Sequence, residues 1–224
     1  MSPTAATVFW NLILRKFHQI DIPSSLLAVE IVRLSWQNRR AMALTLWTIG
    51  HSTRPIAEFL ELLRTHEVML LVDVRTVPRS RFNPQFNTDI LAQSLRGEGF
   101  QYRHLPELGG LRKPKKDSVN VSWRNESFRG YADYMQTEEF RKALDELMAD
   151  GRRFHTVIMC AEAVPWRCHR SLIADMLTVR GWTVRHIVNR NEAQVHSLTT
   201  FAVARDGTLT YPLPPGSDTS ARLF

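Results

Sequence analysis

Cysteine is scarce in this chain: only two occur among 224 residues, both in the stretch CAEAVPWRCHR between Cys160 and Arg170. Two thiols are too few for a disulfide-rich secreted scaffold, so we expect a cytoplasmic protein with reduced thiols. Their separation of eight positions matches neither a CxxC redox motif nor a zinc ribbon, and the Cys-x5-Arg loop of phosphatases is also absent. These absences exclude the commonest two-cysteine motifs.

The chain also lacks an uninterrupted apolar run long enough to span a membrane. Arg15 and Lys16 interrupt the apolar segment Val8–Ile20, whereas a bilayer requires about 20 apolar residues. The positive charges do not precede the apolar stretch, as they would in a secretory signal. The segment instead predicts a short amphipathic helix that lies on the folded body or on a membrane surface.

Residues 1–41 are set apart from the sequence that follows. Met42 directly precedes LTLWTIGHS, the first clear strand, and would serve as a translation start. Two interpretations stay open: residues 1–41 lie upstream of the natural start, or they form a loosely packed N-terminal extension.

Acidic residues are outnumbered, with 22 Asp and Glu against 29 Lys and Arg, so the formal net charge is +7. Positive charge indicates an anionic partner such as nucleic acid, a nucleotide or another phosphorylated small molecule. Residues 1–41 hold five cations and two acids, or +3, which leaves +4 for the rest of the chain. Charge alone does not choose among these partners.

From Leu44 onward, apolar runs alternate with helical patterns, which is typical of an α/β fold. We predict a single domain over residues 42–211, with a mainly parallel sheet of about five strands, helices on both faces and a C-terminal hairpin. Residues 212–224 are expected to form a disordered tail. The predicted sheet strands are Leu44–Ile49, Val68–Val74, Phe100–Leu105, His155–Cys160 and Thr183–Val188.

Helices are expected after Pro55, after Thr88, after a cap at Thr137 and after Cys168. Between the second and third of them, the polar stretch Pro106–Asn125 predicts a long surface loop, and loops of this length are often functional.

Polar clusters follow three of the predicted strands. In a parallel sheet the carboxyl ends of the strands share one edge, so we expect the clusters to line a common crevice. The first cluster is Gly50, His51 and Ser52, the second includes Asp73, Arg75, Arg79 and Arg81, and the third is the Cys160 stretch. This convergence predicts a binding site.

The first two clusters predict an anion site. Gly50 permits a close backbone approach, Ser52 or Thr53 can cap the next helix, and His51 can donate, accept or titrate near neutral pH. The arginines carry planar donors suited to phosphate or carboxylate. Structural alternatives stay open: His51 and Ser52 as residues that complete the turn, and Asp73 as the ion-pair partner of Arg75.

In the third cluster, Cys168, His169 and Arg170 are expected in the first turn of a helix, where the dipole and nearby cations lower the pKa of a thiol. Cys168 is therefore the candidate nucleophile or redox thiol, and Cys160 is expected to be its buried neighbour. We also expect Cys160, His169 and Arg170 to contribute to binding of the anionic substrate. Glu162 is the candidate general acid or base, with an ion pair to Arg167 or Arg170 as the alternative. A metal site would need further ligands such as His51, His104, His169 or Glu162, and we predict none.

The ordered motifs TIGHST, DVRTVPRSR, LPELGGLR, SFRGYADYM and CAEAVPWRCHR resemble the bacterial and archaeal family catalogued as domain of unknown function 488. The resemblance runs from about Leu44 to Val188. It implies an α/β domain with a shared polar site, and it implies no reaction. By motif position, the family's paired cysteines fall on Cys160 and Cys168, its strand-end histidine on His51 and its arginine on Arg75.

Three functions remain in competition at this point. The first is an enzyme that binds an anionic substrate through Arg75, Arg79 and Arg170, with Cys168 as the reacting thiol and His51 or Glu162 moving protons. The second is a nucleic-acid-binding module that also uses the lysines of the long loop, without chemistry. The third is a metal-binding or redox-sensing protein. The cofactor and the oligomeric state are not predicted.

Overall fold

The computed structural model describes residues 44–214, so the expectations for residues 1–41 and for most of the tail lie outside the described residues. The mixed α/β fold contains a sheet of six strands: β1 (Thr45–Gly50), β2 (Leu70–Asp73), β3 (Gln101–His104), β4 (Thr156–Cys160), β5 (Thr183–Ile187) and β6 (Gln194–Val195). Their order in the sheet is β3-β2-β4-β1-β5-β6, and all except β6 are parallel.

Five α-helices accompany the sheet within residues 44–214. They are α1 (Ile56–Thr65), α2 (Thr88–Gly97), α3 (Glu126–Tyr134), α4 (Glu138–Arg153) and α5 (Arg170–Val179). Short 3-10 turns occur at Pro84–Phe86, Pro106–Leu108 and Pro165–Arg167. None of the helices in this part of the chain is long and apolar enough to cross a membrane.

The two faces of the sheet bury separate apolar clusters. Alternate strand residues such as Val72 and Ile158 pack with α3, α4 and α5, whereas Leu71 and Val157 pack with α1 and α2. Strands β2 and β4 are buried along their whole length, as expected for parallel strands covered on both sides. The prediction of helices on both faces is therefore confirmed.

A hairpin of β7 (Val203–Arg205) and β8 (Thr208–Thr210) follows the sheet. Its turn residues, Asp206 and Gly207, both have positive φ, 48° and 73°, which suits a two-residue hairpin turn. The C-terminal hairpin predicted at this position is confirmed.

Three local expectations about caps and elements had different outcomes. Thr137 caps α4, since its Oγ1 accepts a hydrogen bond from the Phe140 N–H at 3.3 Å. The expected Ser52 or Thr53 cap of α1 is wrong, because Pro55 is the N-cap residue and no side chain caps the helix. Helix α3 and the two-residue strand β6 were not expected from the sequence.

Candidate functional site

The strand order brings the three polar clusters to one edge of the sheet. Strand β4 lies between β1 and β2, with Gly50 opposite Cys160 and Asp73 opposite Met159. The chain continues this pairing past the strands, because the backbone N–H of His51 donates to the Cys160 carbonyl at 3.0 Å. The loops after β1, β2 and β4 therefore begin side by side.

A cavity of about 430 Å³ opens among these loops. Both thiols line it, and so do the loop after β2, the Gly110 loop and the start of α3. The lining residues are Arg75, Thr76, Val77, Gly110, Leu111, Asn125, Ser127, Phe128, Cys160, Ala161, Glu162, Arg167, Cys168 and His169. Apolar and cationic groups thus share one concave surface beside the two thiols.

Arg170 is the most unusual residue of this region, because its side chain is 1% exposed and yet no carboxylate pairs with it within residues 44–214. Its Nε–H donates to Cys168 Sγ at 3.4 Å, its Nη1 to Thr48 Oγ1 at 3.4 Å, and its Nη2 to the Glu162 carbonyl. A buried cation without an anion is strongly unfavourable. Cys168 Sγ is the contacting atom that can supply the anion.

The environment separates the pKa values of the two thiols. Hydrogen bonds from the Cys160 thiol and from His169, together with the charge of Arg170, hold the pKa of Cys168 well below the usual range. The hydrogen bond to Cys168, followed by burial, holds the pKa of Cys160 well above it. The two directions assign the proton of the pair to Cys160 and the negative charge to Cys168. Both cysteines are buried, as expected for Cys160 alone.

His169 adds a ring to the thiol pair. Its Nδ1 lies 3.7 Å from Cys168 Sγ, and its Nε2 is buried with no hydrogen-bond partner among the described residues. His169 is the N-cap residue of α5, and Cys168 directly precedes it. Cys168 therefore lies just before the helix and not in its first turn, where we expected it. A nucleophile and a base within hydrogen-bond reach form the usual core of a covalent catalyst.

The same atoms are also candidate metal ligands. Cys160 Sγ, Cys168 Sγ and a ring nitrogen of His169 lie within 4.8 Å of one another, and these donor types occur in catalytic zinc sites. A zinc ion with two thiolates is neutral, so the buried Arg170 guanidinium would remain unbalanced beside it. A single thiolate balances that guanidinium, and charge therefore favours the metal-free pair.

Asp73, Arg75 and His51 form a second buried group at this edge. The Asp73 carboxylate accepts from Arg75 Nε at 2.8 Å and from Nη2 at 2.6 Å, so the alternative of an Asp73–Arg75 ion pair is correct. Arg75 Nη1 donates to His51 Nε2 at 3.2 Å, and Nη2 also reaches the Phe86 carbonyl at 2.8 Å. Four of the five guanidinium N–H groups are thus engaged.

His51 is locked as a neutral ring. Its Nδ1–H donates to the Ser52 carbonyl at 2.7 Å, which leaves Nε2 to accept from Arg75. Burial, reinforced by the charge of Arg75, lowers the pKa of His51 to about 4. His51 does not line the cavity, and both nitrogens are occupied. This geometry supports a role in orienting Arg75 and gives no support to the expected transfer of protons.

Gly50 is needed for a close backbone contact, as expected. A Cβ at this position would lie 1.8 Å from the Glu162 carbonyl oxygen and 2.8 Å from Arg170 Nη2. The absence of a side chain lets the segment after β4 cross over β1 and present its carbonyl to Arg170.

Several predicted site residues lie away from the thiols. Ser52 is a half-buried turn residue with φ of 52°. Arg79 and Arg81 are exposed, and neither lines the cavity. Glu162 lines the cavity with an exposed side chain. It forms no ion pair with Arg167 or Arg170 in the described region, and its backbone carbonyl makes the contact to Arg170.

Sequence reasoning missed a polar network that contacts Arg170 from within the fold. Thr48, His186, Asp175 and Tyr211 are buried there, together with the largely buried His196. Polar residues inside the apolar runs of β1, β5 and α5 are the signal that points to this network. Sequence reasoning also assigned His169 to anion binding and missed its contact with Cys168.

Comparison with known proteins places the chain in a family. No curated protein and no solved structure matches it. The family described as Domain of unknown function DUF488 matches residues 55–177, which is more than half of the chain. That range contains Arg75, both cysteines and Arg170, while His51 precedes it. The chain therefore belongs to the DUF488 family.

Proposed function

We propose that this protein is an enzyme that binds an anionic, phosphate- or nucleotide-like substrate in the cavity beside the thiol pair and reacts with it through Cys168. The observation that carries the proposal is the contact between the buried Arg170 guanidinium and Cys168 Sγ, because it makes the thiolate the stable form of Cys168. A thiolate that lines a cavity is the form that attacks electrophiles.

The cavity provides groups for an anion. Arg75 and Arg167 line it, and α5 begins beside Cys168. Arg75 is held by Asp73 and His51, which fixes its remaining N–H donor, whereas Arg167 is exposed and free to adjust. A rigid cation and an adjustable one suit a substrate that enters, reacts and leaves.

The chemistry assigned to this site is group transfer. The Cys168 sulfur donates an electron pair to an electrophilic phosphorus or carbon atom of the substrate, and the bond to the leaving group breaks. The leaving group takes its proton from His169, whose Nδ1 lies 3.7 Å from the sulfur. Water then attacks the enzyme-bound group, restores the Cys168 thiolate and returns a proton to His169.

Alkylation across a pH series tests the thiolate. Iodoacetamide should label Cys168 well below the usual thiol midpoint of about pH 8.5, and inorganic phosphate or AMP should protect it. The variant C160S is the matched control, because it keeps Cys168 and Arg170. Turnover of a panel of phosphate esters should be lost in C168S. If Cys168 titrates like free cysteine, the proposal fails. If elemental analysis finds one equivalent of zinc in the purified protein, the thiol pair is a metal site and the proposed reaction is wrong.

Nucleic-acid binding is the second candidate, and one observation favours it. The carboxyl-edge segments 76–87, 109–125 and 161–169 hold eight cations and two acids, a net charge of +6. Seven of these cations are exposed and lack a carboxylate partner among the described residues: Arg79, Arg81, Lys113, Lys115, Lys116, Arg124 and Arg167. Phosphate backbones select such surfaces.

Fluorescence anisotropy with labelled single-stranded and double-stranded oligonucleotides at several salt concentrations tests this second function. Lys113, Lys115 and Lys116 changed together to Gln should reduce the slope of log affinity against log salt, and C168S should leave binding unchanged. Absence of salt-sensitive binding would eliminate the candidate.

A further inference from the structure

A chain of buried hydrogen bonds leads from Arg170 to Asp175 through three other side chains. Arg170 Nη1 lies 3.4 Å from Thr48 Oγ1, which lies 2.8 Å from His186 Nδ1. His186 Nε2 lies 2.9 Å from His196 Nδ1, and His196 Nε2 lies 2.8 Å from Asp175 Oδ1. We call these residues the Arg170–Asp175 chain.

At the Arg170 end, the hydrogen bonds fit one direction of donation. A guanidinium only donates, so Thr48 Oγ1 accepts from it and has its own O–H left to donate to His186 Nδ1. His186 Nδ1 is then unprotonated, and the neutral ring carries its proton on Nε2, which donates to His196. Burial above all, with the charge of Arg170 adding to its effect, lowers the pKa of His186 to about 4, which keeps the ring neutral.

The Asp175 end requires the same direction independently. Its carboxylate only accepts, so His196 Nε2 carries a proton. The Asp175 oxygens also accept from the Thr199 N–H at 2.9 Å and from the Tyr211 hydroxyl at 2.8 Å. His196 Nδ1 is therefore the acceptor from His186 when the ring is neutral. The Asp175 end thus selects one set of tautomers, and the contacts at the Arg170 end are consistent with it.

The chain of bonds begins and ends on the same helix. Arg170 and Asp175 both belong to α5, whereas Thr48 and His186 lie opposite each other on β1 and β5. Both acceptors that Arg170 has besides the sulfur are thereby fixed. Thr48 is held by the Arg170–Asp175 chain, and the Glu162 carbonyl is held by the close contact of its backbone with Gly50. The guanidinium has little freedom to turn away from Cys168.

We propose that Thr48, His186, His196 and Asp175 are positioning residues that hold the Arg170 guanidinium against Cys168 Sγ and so set the reactivity of this thiol. The inference rests on the proposed function. It assigns to buried polar side chains a task that packing alone does not require, because an apolar interior of the same shape would brace α5 equally well.

The test uses two substitutions at Thr48 that separate its hydroxyl from its methyl group. T48V keeps the shape and removes the hydrogen bonds, whereas T48S keeps the hydroxyl and loses the methyl group. We expect iodoacetamide to alkylate Cys168 about tenfold more slowly at pH 6 in T48V, with the midpoint of the pH profile raised, because Arg170 loses an acceptor. T48S should retain the wild-type profile.

Histidine side-chain ¹H–¹⁵N NMR spectra of the wild-type full chain provide a measurement that needs no variant. Both His186 and His196 should carry their proton on Nε2 at neutral pH, and the His186 Nδ1 resonance should move in T48V but not in T48S. A His186 ring protonated on Nδ1 would overturn the inference even if T48V did not fold.

The outcomes distinguish the inference from the proposed function. If wild-type Cys168 is a thiolate at pH 6 and T48V has the same pH profile of alkylation, the Arg170–Asp175 chain only braces α5. The inference then fails while the proposed function stands. If both T48V and T48S slow alkylation equally, packing is responsible, and the inference also fails. If wild-type Cys168 titrates like free cysteine, the proposed function fails, and the inference fails with it.

Discussion

Replacing Arg170 by Met is the sharpest test of the buried thiolate. R170M removes the guanidinium that contacts Cys168 Sγ and leaves an apolar side chain of similar length in a position that is 1% exposed. Without that cation, burial favours the protonated thiol, and only the hydrogen bonds from Cys160 and His169 oppose it. The pKa of Cys168 should therefore rise.

The size of the rise follows from the contact distance. At the 3.4 Å between Nε and Sγ, two unit charges at an effective dielectric constant of about 20 attract each other by about 5 kcal/mol. The guanidinium charge is spread over three nitrogens, so the effective separation is larger and the attraction smaller. We expect the midpoint of the pH profile to rise and the thiolate fraction at pH 7 to fall at least about tenfold.

The assay is the rate of iodoacetamide alkylation of Cys168 between pH 4 and 10, followed by mass spectrometry of the peptides. The midpoint is the readout, since the limiting rate also reflects the lower nucleophilicity of a low-pKa thiolate. R167M is the matched control, because Arg167 also lines the cavity but is exposed. Its effect on the thiolate fraction should stay below about threefold, as solvent and salt screen an exposed charge.

An unchanged midpoint in a folded R170M protein would refute this reasoning. It would mean that His169 and the Cys160 thiol stabilise the anion by themselves, or that Cys168 is not a thiolate in the wild type. Folding of the variant is expected, because the remaining thiol can take up a proton and leaves no unpaired charge in the interior.

Three further predictions follow from the same geometry. C168A should lower the free energy of unfolding by about 3 kcal/mol in urea denaturation, because it leaves Arg170 buried without an anion, and C168A/R170M should recover most of the loss. G50A should prevent the crossing of the Glu162 carbonyl and destabilise the protein strongly in thermal melts, whereas G97A in α2, where a Cβ meets nothing within 4 Å, should be neutral or slightly stabilising. His51 and His186 have folded-state pKa values of about 4, below the usual 6.5. As the pH falls below 6.5, these histidines take up protons in the unfolded chain before they do so in the folded protein. The free energy of unfolding should therefore have its full value above about pH 6.5 and fall by roughly 2 to 3 kcal/mol for each histidine towards pH 4. Urea denaturation at pH 7.5 and 4.5 checks this, and H186Q should reduce the difference; equal stability at the two pH values would contradict it.

The fold was largely predictable because its strands are short runs of β-branched and apolar residues. The predicted strands at Val68–Val74 and His155–Cys160 contain β2 and β4 and extend past them by no more than two residues at either end. Helix α3 escaped prediction because its sequence, ESFRGYADY, is polar and contains Gly130, so its helical pattern is weak. Gly130 is there because a Cβ would lie 2.3 Å from the Arg112 carbonyl oxygen, a constraint that comes from the long loop.

The candidate site was predictable only in its location. Strand-end polar residues and parallel strands imply a shared edge, and this placed the Gly50, Asp73 and Cys160 clusters together. Roles within the cluster depended on neighbours that are distant in sequence. His51 looks like a proton-transfer group until Ser52 and Arg75 occupy its two nitrogens.

The sequence by itself therefore determined the α/β class, the family motifs and the edge at which the cysteines and arginines meet, because periodicity and strand ends are local properties of the chain. The sequence also favoured Cys168 over Cys160 as the reactive thiol, and only the tertiary structure decided which groups hold its negative charge. That depends on a guanidinium buried without a carboxylate and on acceptors such as Thr48, which lies 122 positions away from Arg170. Charge balance in a buried site is a sum over all neighbours, and the neighbours are known only once the strands are ordered.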